Sequence, residues 1–253
     1  MIKGVFLDLD GTVYCGSEVI PGAPEFIFRL KREGRRYLFV TNRSNRTPRQ
    51  IASHLQDCGI PCEPGDIVTS AQATVEYLKE GRVFYIGEEG LHEAIVCGEL
   101  EITEEAPDYV VVSLDRHITY EKMEKASRLI RNGARFVATN ADRVLYTDSG
   151  PSPGTGAIVA AIAAASDAHP VYVGKPETII IDMALERLGL SRQEVVIIGD
   201  NLKSDIKAGK NAGIRTILIL TGVSSREDLR RATDKPTWVV EDYRELEELF
   251  DTI

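Results

Sequence analysis

Cysteine is scarce, and its spacing suits neither a bridge nor a metal. The four cysteines, Cys15, Cys58, Cys62 and Cys97, form no Cys-x-x-Cys pair. That argues against a zinc knuckle and fits reduced thiols packed in a cytoplasmic protein. Long apolar runs are missing too. No stretch approaches the roughly 20 residues that a membrane-spanning helix needs. Residues 1–3 lead straight into a strand pattern, so no leader is expected. Nor is there an excess of basic charge. The net charge is −9, which argues against a nucleic-acid scaffold but leaves room for an anionic small molecule at a locally positive site. Low-complexity tracts and solenoid repeats are absent.

Three ligand-binding patterns are also missing. Gly174-Lys175 is followed by Pro176, and His169 stands where a P-loop needs its first glycine. Gly154-x-Gly156 continues to Val159 where a dinucleotide-binding loop needs a third small residue, and it follows a Pro-rich loop instead of a strand. Counted from Asp8, position six is Val13, where a calcium loop requires glycine.

What is present is a long alternation of strand and helix patterns. At 253 residues and 43% apolar, the chain has enough material for a real core. Strands are predicted at 5–7, 36–40, 66–69, 83–86, 109–114, 136–138, 171–173, 195–198, 216–220 and 238–240. Helical stripes and end signals lie between them, at 48–58, 120–131, 176–188 and 243–250 among others. Ser191 and Glu194 have capping-box spacing with room only for a brief turn. Residues 140–153 read as an irregular stretch. Repeated βα units predict an α/β fold, a doubly wound, Rossmann-like parallel sheet. The middle third predicts a second α/β unit inserted into the first. The expected division is 1–77 with 174–253 for the core and 78–173 for the inserted unit. Thr41-Asn42 and Thr139-Asn140 echo one another after their strands. The safer reading of that echo is shared turn chemistry.

Chemistry concentrates at strand ends. Residues 5–7 run into Asp8-Leu9-Asp10-Gly11-Thr12. Two carboxylates at the end of a buried strand repel unless a cation or a reacting group sits between them. Asp200 and Asp205 follow the strand at 195–198, Thr41-Asn42 follows 36–40, and Lys175 precedes a helix. The C-terminal ends of parallel strands converge on one rim. Three carboxylates there call for a hard cation with oxygen ligands, best Mg²⁺. Lys175 and the Thr41 hydroxyl supply donors for an anion beside it.

With those residues in view, the chain resembles the haloacid dehalogenase superfamily over essentially its whole length. The motifs are DLDGT (8–12), TN (41–42), GKP (174–176) and GDNLKSD (199–205). The insert position and the segments at 85–91, 139–142 and 153–162 resemble the NagD-like, 4-nitrophenylphosphatase branch with its large α/β cap. The resemblance implies a Mg²⁺-dependent phosphatase of small phosphate monoesters, active on 4-nitrophenyl phosphate. Asp8 is then nucleophile and metal ligand. Asp10 is general acid/base and offers its backbone carbonyl to the metal. Thr41, Asn42 and Lys175 bind the phosphoryl group. Asp200 is a metal ligand, and Asp205 supports the metal from behind. In resembling phosphatases the loop after Thr139 faces the active site, so Asn140, Arg143, Leu145 and Tyr146 are candidates for choosing the ester, and Arg43, which follows Thr41-Asn42, is another. Arg43 and Lys203-Ser204 depart from the commoner family residues, which bears on preference and not on the chemistry. The expected partner is a small phosphorylated metabolite, with no nucleic acid and no membrane, and a homodimer is left open. A phosphomutase and a non-catalytic phosphometabolite-binding protein are the alternatives. Nucleoside monophosphates and sugar phosphates are among the esters that the sequence does not separate.

Overall fold

The computed structural model describes residues 2–147 and 150–253. Asp148, Ser149 and the side chain of Tyr146 lie outside the described part. The chain divides into two compact units. The first is Met1–Thr41, Arg49–Val68 and Lys175–Ile253; the second is Asn42–Pro48 and Thr69–Gly174. The second is wider than the 78–173 expected from sequence. The helix Ser70–Leu78 and the loop 42–48 group with it.

Among the described residues, the first unit is built on a six-stranded sheet. Its order is Trp238–Val240, Arg215–Ile219, Val195–Gly199, Gly4–Leu7, Arg36–Thr41, Ile67–Thr69. The pairings from Trp238–Val240 through Arg36–Thr41 are parallel. Gly4–Leu7 and Val195–Gly199 are buried at every residue. Both faces are covered, which is why these strands read as continuous apolar runs without alternation. Helix Ala23–Arg32 buries Ala23, Phe26, Ile27 and Leu30, and helix Tyr243–Phe250 buries Tyr243, Leu246 and Phe250. Phe26 meets Phe250 edge-on with ring centroids 4.8 Å apart. Each such ring contributes on the order of 2–3 kcal/mol by leaving water.

From Gly4–Leu7 the chain first builds the sheet outward through Arg36–Thr41. It returns much later on the other side with Val195–Gly199. These two neighbours therefore flank the point where strand order reverses. In open α/β sheets, ligands bind in the crevice beyond the C-terminal ends of the strands at that point. Asp8 and Asp200 are the residues that follow the two strands there, and Asp8 N–H donates to Ile198 O at 2.9 Å. The turn after Asp8 is closed locally. Val13 N–H donates to Leu9 O at 2.8 Å, and Gly11 N–H to Tyr14 O at 2.7 Å. The buried Tyr243 hydroxyl donates to Thr12 O at 2.9 Å, tying the last helix to this turn.

The second unit has its own five-stranded sheet. The order is Val171–Tyr172, Arg135–Ala138, Tyr109–Val112, Arg82–Ile86, Glu101–Ile102, parallel throughout. Its core gathers Phe84, Ile86, Val110, Val112, Phe136 and Ile162. A carboxylate clasp helps to hold it. Glu88 accepts from Arg116 Nε and the Arg116 backbone N–H, both at 2.9 Å, and from Asn45 Nδ2 at 3.2 Å. Burial alone would raise the Glu88 carboxyl. The Arg116 and Asn45 donors outweigh burial and bring it down to about 2. A carboxyl held below its usual range stabilises the fold above the usual value and loses that contribution as pH falls towards 2. Replacing Glu88 with Gln is therefore expected to cost about 1–2 kcal/mol at neutral pH, discounting for the exposed guanidinium. It should also flatten the acid limb of melting temperature between pH 4.5 and pH 2. Parallel acid limbs for variant and wild type would show that the clasp contributes nothing.

Several elements differ from the sequence reading. Residues 144–147 and 150–153 are not irregular. Val144–Thr147 and Gly150–Pro153 pair antiparallel, Leu145 opposite Ser152 and Tyr146 opposite Pro151. Prolines are tolerated there because a two-stranded ribbon leaves positions that need no ladder donor. The ribbons Tyr14–Cys15/Glu18–Val19 and the strand Glu101–Ile102 are too short to show a period. Helix Arg226–Arg231 has no buried stripe, only a Ser225/Asp228 capping box. The helix expected from Pro176 starts at Ile179. The Ser191/Glu194 box does close a single 3₁₀ turn, as its spacing predicts. Among the described residues, no helix is long and apolar enough to cross a membrane.

Candidate active site

Lys175 is the centre of the first unit's polar cluster. It is 3% exposed, and its ammonium donates to Asp8 Oδ1 at 2.6 Å, Asp205 Oδ1 at 2.6 Å and Val40 O at 2.8 Å. An ammonium has three protons, and these three acceptors match them. Burial alone would lower Lys175. The carboxylates of Asp205 and Asp8 outweigh it and hold the charge on firmly.

Asp205 is fully buried, and its second oxygen accepts Asn201 N–H at 3.1 Å. It sits in the π-helical turn Leu202–Ile206, which precedes helix Lys207–Ala212. A π turn inside a helix start is a common mark of a functional site. Gly199 leaves the room that Asp205 fills, since a Cβ there would collide with the carboxylate.

Asp200 is enclosed by backbone. Its Oδ2 accepts Val223 N–H at 2.5 Å, and its carbonyl accepts Ser224 N–H at 3.2 Å. A Cβ on either Gly11 or Gly222 would collide with Oδ2. Gly11 also has φ +84°, a conformation that costs a residue with a side chain. The loop that wraps Asp200, residues 221–224, was not singled out from sequence. Thr221 Oγ1 donates to Gly11 O at 2.7 Å, and Ser224 Oγ accepts Leu202 N–H at 3.0 Å. Its signal was available as a strand end followed by Thr-Gly-Val-Ser.

Carboxylate oxygens of Asp8, Asp200 and Asp205 lie within 4.8 Å of one another. Burial, then the charge of Asp205, raises Asp8 well above the ordinary carboxylate range, with Lys175 opposing. The same two causes push Asp200 up to about 7. One ammonium does not balance three carboxylates, two buried and one partly buried, so a hard divalent cation with oxygen ligands fits this donor set. Asp10, two residues beyond Asp8, is partly exposed at the start of the turn and bridges to Tyr14. Thr41 is buried at the end of its strand.

The other predicted residues belong to the second unit. Asn42 Nδ2 donates to Asp142 Oδ2 at 2.8 Å, and Asn140 Nδ2 to the same oxygen at 2.6 Å. Asp142 was missed. The echo of two Thr-Asn pairs was its signal, because both asparagines converge on it. Asn140 is buried, and its Oδ1 accepts from Thr139 Oγ1 at 3.1 Å. Arg43 is partly buried, Arg143 is exposed, and Leu145 is half-buried in the ribbon. For Tyr146 only the strand position is described.

A family described as haloacid dehalogenase-like hydrolase matches residues 5–101, and a related HAD-hydrolase-like family matches 172–246. The 5'-nucleotidase YutF of Bacillus subtilis is 42% identical over 247 residues, covering 96% of each chain. An acid sugar phosphatase of Staphylococcus aureus is 41% identical over 248 residues, again covering 96% of each. The crystal structure of a 4-nitrophenylphosphatase from Thermotoga maritima superposes with a TM-score of 0.93 at 36% identity, covering 98% of this chain and 97% of that one. The chain belongs to the haloacid dehalogenase-like hydrolases, as a phosphatase of their NagD-like, 4-nitrophenylphosphatase branch.

Proposed function

We propose that this phosphatase cleaves small phosphate monoesters through a phosphoryl-aspartate on Asp8, with Mg²⁺ as cofactor. The observation that carries this reading is the buried cluster at the switch point, with Lys175 bonded to Asp8 Oδ1 and Asp205 Oδ1 beside Asp200. Lys175 occupies one oxygen of Asp8 and fixes the carboxylate plane. Oδ2 is the oxygen left to attack. The new Asp8–phosphorus bond forms as the ester P–O bond breaks. The leaving oxygen takes a proton from Asp10. Water then attacks the same phosphorus, gives its proton to Asp10, and the Asp8–phosphorus bond breaks. Both steps are in-line displacements that regenerate the enzyme.

Charge is the main obstacle. A carboxylate about 3.5 Å from one unit of phosphate charge costs roughly 5 kcal/mol at an effective dielectric of about 20. Lys175 offsets part of this from behind the nucleophile. Asp8, Asp200 and the Asp10 carbonyl would hold Mg²⁺, with Asp205 in support, and the bound ion would supply the remaining positive charge facing the phosphoryl oxygens. Thr41 and Asn42 add neutral donors.

The relatives named above support nucleoside monophosphates and sugar phosphates as the substrate classes, and 4-nitrophenyl phosphate as a working probe. We assign the choice between esters to Arg43, Arg143, Leu145 and Tyr146, since the cluster in the first unit sees only the phosphoryl group that every ester shares. The partner is then a small phosphorylated metabolite of the cytoplasm. The test is phosphate release from a panel of monoesters, with EDTA and with added Mg²⁺. Activity on 4-nitrophenyl phosphate and on at least one natural ester is expected. It should vanish with EDTA and return with Mg²⁺. Full activity in excess chelator would refute the metal assignment, and no activity on any monoester would refute the substrate class.

A further inference from the structure

We infer that Thr221 is a positioning residue that sets how tightly the Asp200 carboxylate holds a divalent cation. The inference rests on the Mg²⁺ role proposed above for Asp200 and the Asp10 carbonyl. Mg²⁺ accepts little error in its ligands, because it demands near-octahedral oxygen geometry. Groups that hold a ligand without touching the ion therefore tune affinity. Asp200 is gripped from two sides. A Cβ on either Gly222 or Gly11 would collide with its Oδ2. The carboxylate thus lies between two glycine walls that follow different strands. Gly11 comes after Gly4–Leu7, and Gly222 after Arg215–Ile219. Val195–Gly199 runs between those strands, so no ladder bond joins them. Thr221 supplies the missing tie. Its Oγ1 donates to Gly11 O at 2.7 Å, which links one wall to the other.

Burial does not fasten the middle of this loop. Val223, whose N–H donates to Asp200 Oδ2 at 2.5 Å, is 51% exposed, and Gly222 is exposed with no side chain to pack. The two ends are fastened by other means. At the start, Leu220 N–H donates to Val240 O at 3.0 Å. At the far end, Ser224 Oγ accepts Leu202 N–H at 3.0 Å. Just beyond, Ser225 N–H donates to Asp228 Oδ2 at 2.9 Å and Ser225 Oγ accepts Asp228 N–H at 3.2 Å. The capping box of a helix that has no buried stripe thus serves as an anchor. The turn that Thr221 reaches is fixed independently, since the Tyr243 hydroxyl donates to Thr12 O at 2.9 Å. Loss of the Thr221 bond would therefore release the loop and not the turn. The same turn carries Asp10. One hydroxyl thus sets the separation of two groups assigned to the cation, the Asp200 carboxylate and the Asp10 carbonyl.

The test is calorimetric titration of Mg²⁺ into metal-free protein without substrate, beside the rise in melting temperature at a fixed Mg²⁺ concentration. Thr221→Val keeps the side-chain shape and loses the donor. It is expected to weaken Mg²⁺ binding about tenfold, the low end of what partners of metal ligands usually contribute. The melting-temperature rise should shrink with it, because that rise follows the dissociation constant. Half-maximal activation of phosphate release from 4-nitrophenyl phosphate should need about tenfold more Mg²⁺. Thr221→Ser retains the hydroxyl and should bind Mg²⁺ within about twofold of wild type. If Thr221→Val does not fold, Thr221→Ala takes its place with the same expectation. Mg²⁺ affinity within about twofold of wild type in the variant without the hydroxyl would overturn the inference, even if its metal-free melting temperature falls. So would a Thr221→Ser variant that binds Mg²⁺ as weakly as Thr221→Val. A wild type that neither binds Mg²⁺ nor is stabilised by it would overturn the metal reading itself, and this inference with it.

Discussion

Replacing Asp8 with Asn is expected to reduce turnover by at least about 10⁴-fold, roughly 5 kcal/mol of lost transition-state stabilisation, while the melting temperature stays level or rises. The two halves of this result have the same origin. The amide keeps a carbonyl oxygen where Oδ1 accepts the Lys175 proton at 2.6 Å, so the local packing survives. It has no oxygen able to attack phosphorus. Meanwhile the native carboxylate is held in a place that burial and Asp205 make unfavourable for charge. A carboxyl whose folded value lies above its unfolded value costs stability as pH rises through that interval. Removing the charge relieves that cost at neutral pH. Rates measured beside thermal melts at pH 5 and pH 7.5, without added metal, check both parts. Turnover within tenfold of wild type would remove Asp8 as the nucleophile. A marked drop in melting temperature would show that its charge holds the fold together instead.

The same geometry explains how far the sequence could be read. Asp8, Asp200, Asp205 and Lys175 were legible because each stands at the end of a strand or the start of a helix with a strong apolar period, and parallel strands share a rim. The doubly wound parallel sheet followed from the same alternation, and the order of its strands did not. Asp142 was not legible as a site residue. It lies four residues past its strand and meets an asparagine from residue 42, which no local pattern reports. Residues 221–224 were missed for a similar reason. They act through backbone N–H groups and one hydroxyl, so side-chain chemistry gave nothing to find. The paired strands 144–147 and 150–153 hid behind their prolines. Glycines carried more than their turn signals suggested. Gly11, Gly199 and Gly222 are spaces that carboxylates occupy, and a sequence does not reveal what fills a missing Cβ.

Lys175→Met is the second change with a large expected effect, and its pH dependence tells more than its size. Methionine nearly matches the length of lysine and fits a buried position, so the variant tests charge and not volume. In the native cluster one ammonium faces Asp8 and Asp205, all within 12% exposure or less. Removing one member of such a buried group typically costs about 3–5 kcal/mol, because the remaining charge is left uncompensated. Turnover is expected to fall at least about 10³-fold, since Asp8 loses both its orientation and its counter-charge. Stability should respond as follows in metal-free protein. The Lys175 value is raised in the fold, so its contribution is fully present below the unfolded value near 10.5 and is lost only above it. The Asp8 value, already raised, climbs further without the ammonium. The charged form of Asp8 therefore costs the variant more than the wild type, and the difference grows as rising pH favours that form. The gap in melting temperature between wild type and variant should widen steadily from pH 5 to pH 8, and added Mg²⁺ should narrow it. Lys175→Arg is not expected to rescue activity, because a planar guanidinium does not reproduce three bonds from one nitrogen. A gap that stays constant with pH, together with turnover within tenfold of wild type, would mean that Lys175 is a packing residue and that the carboxylates balance one another in some other way.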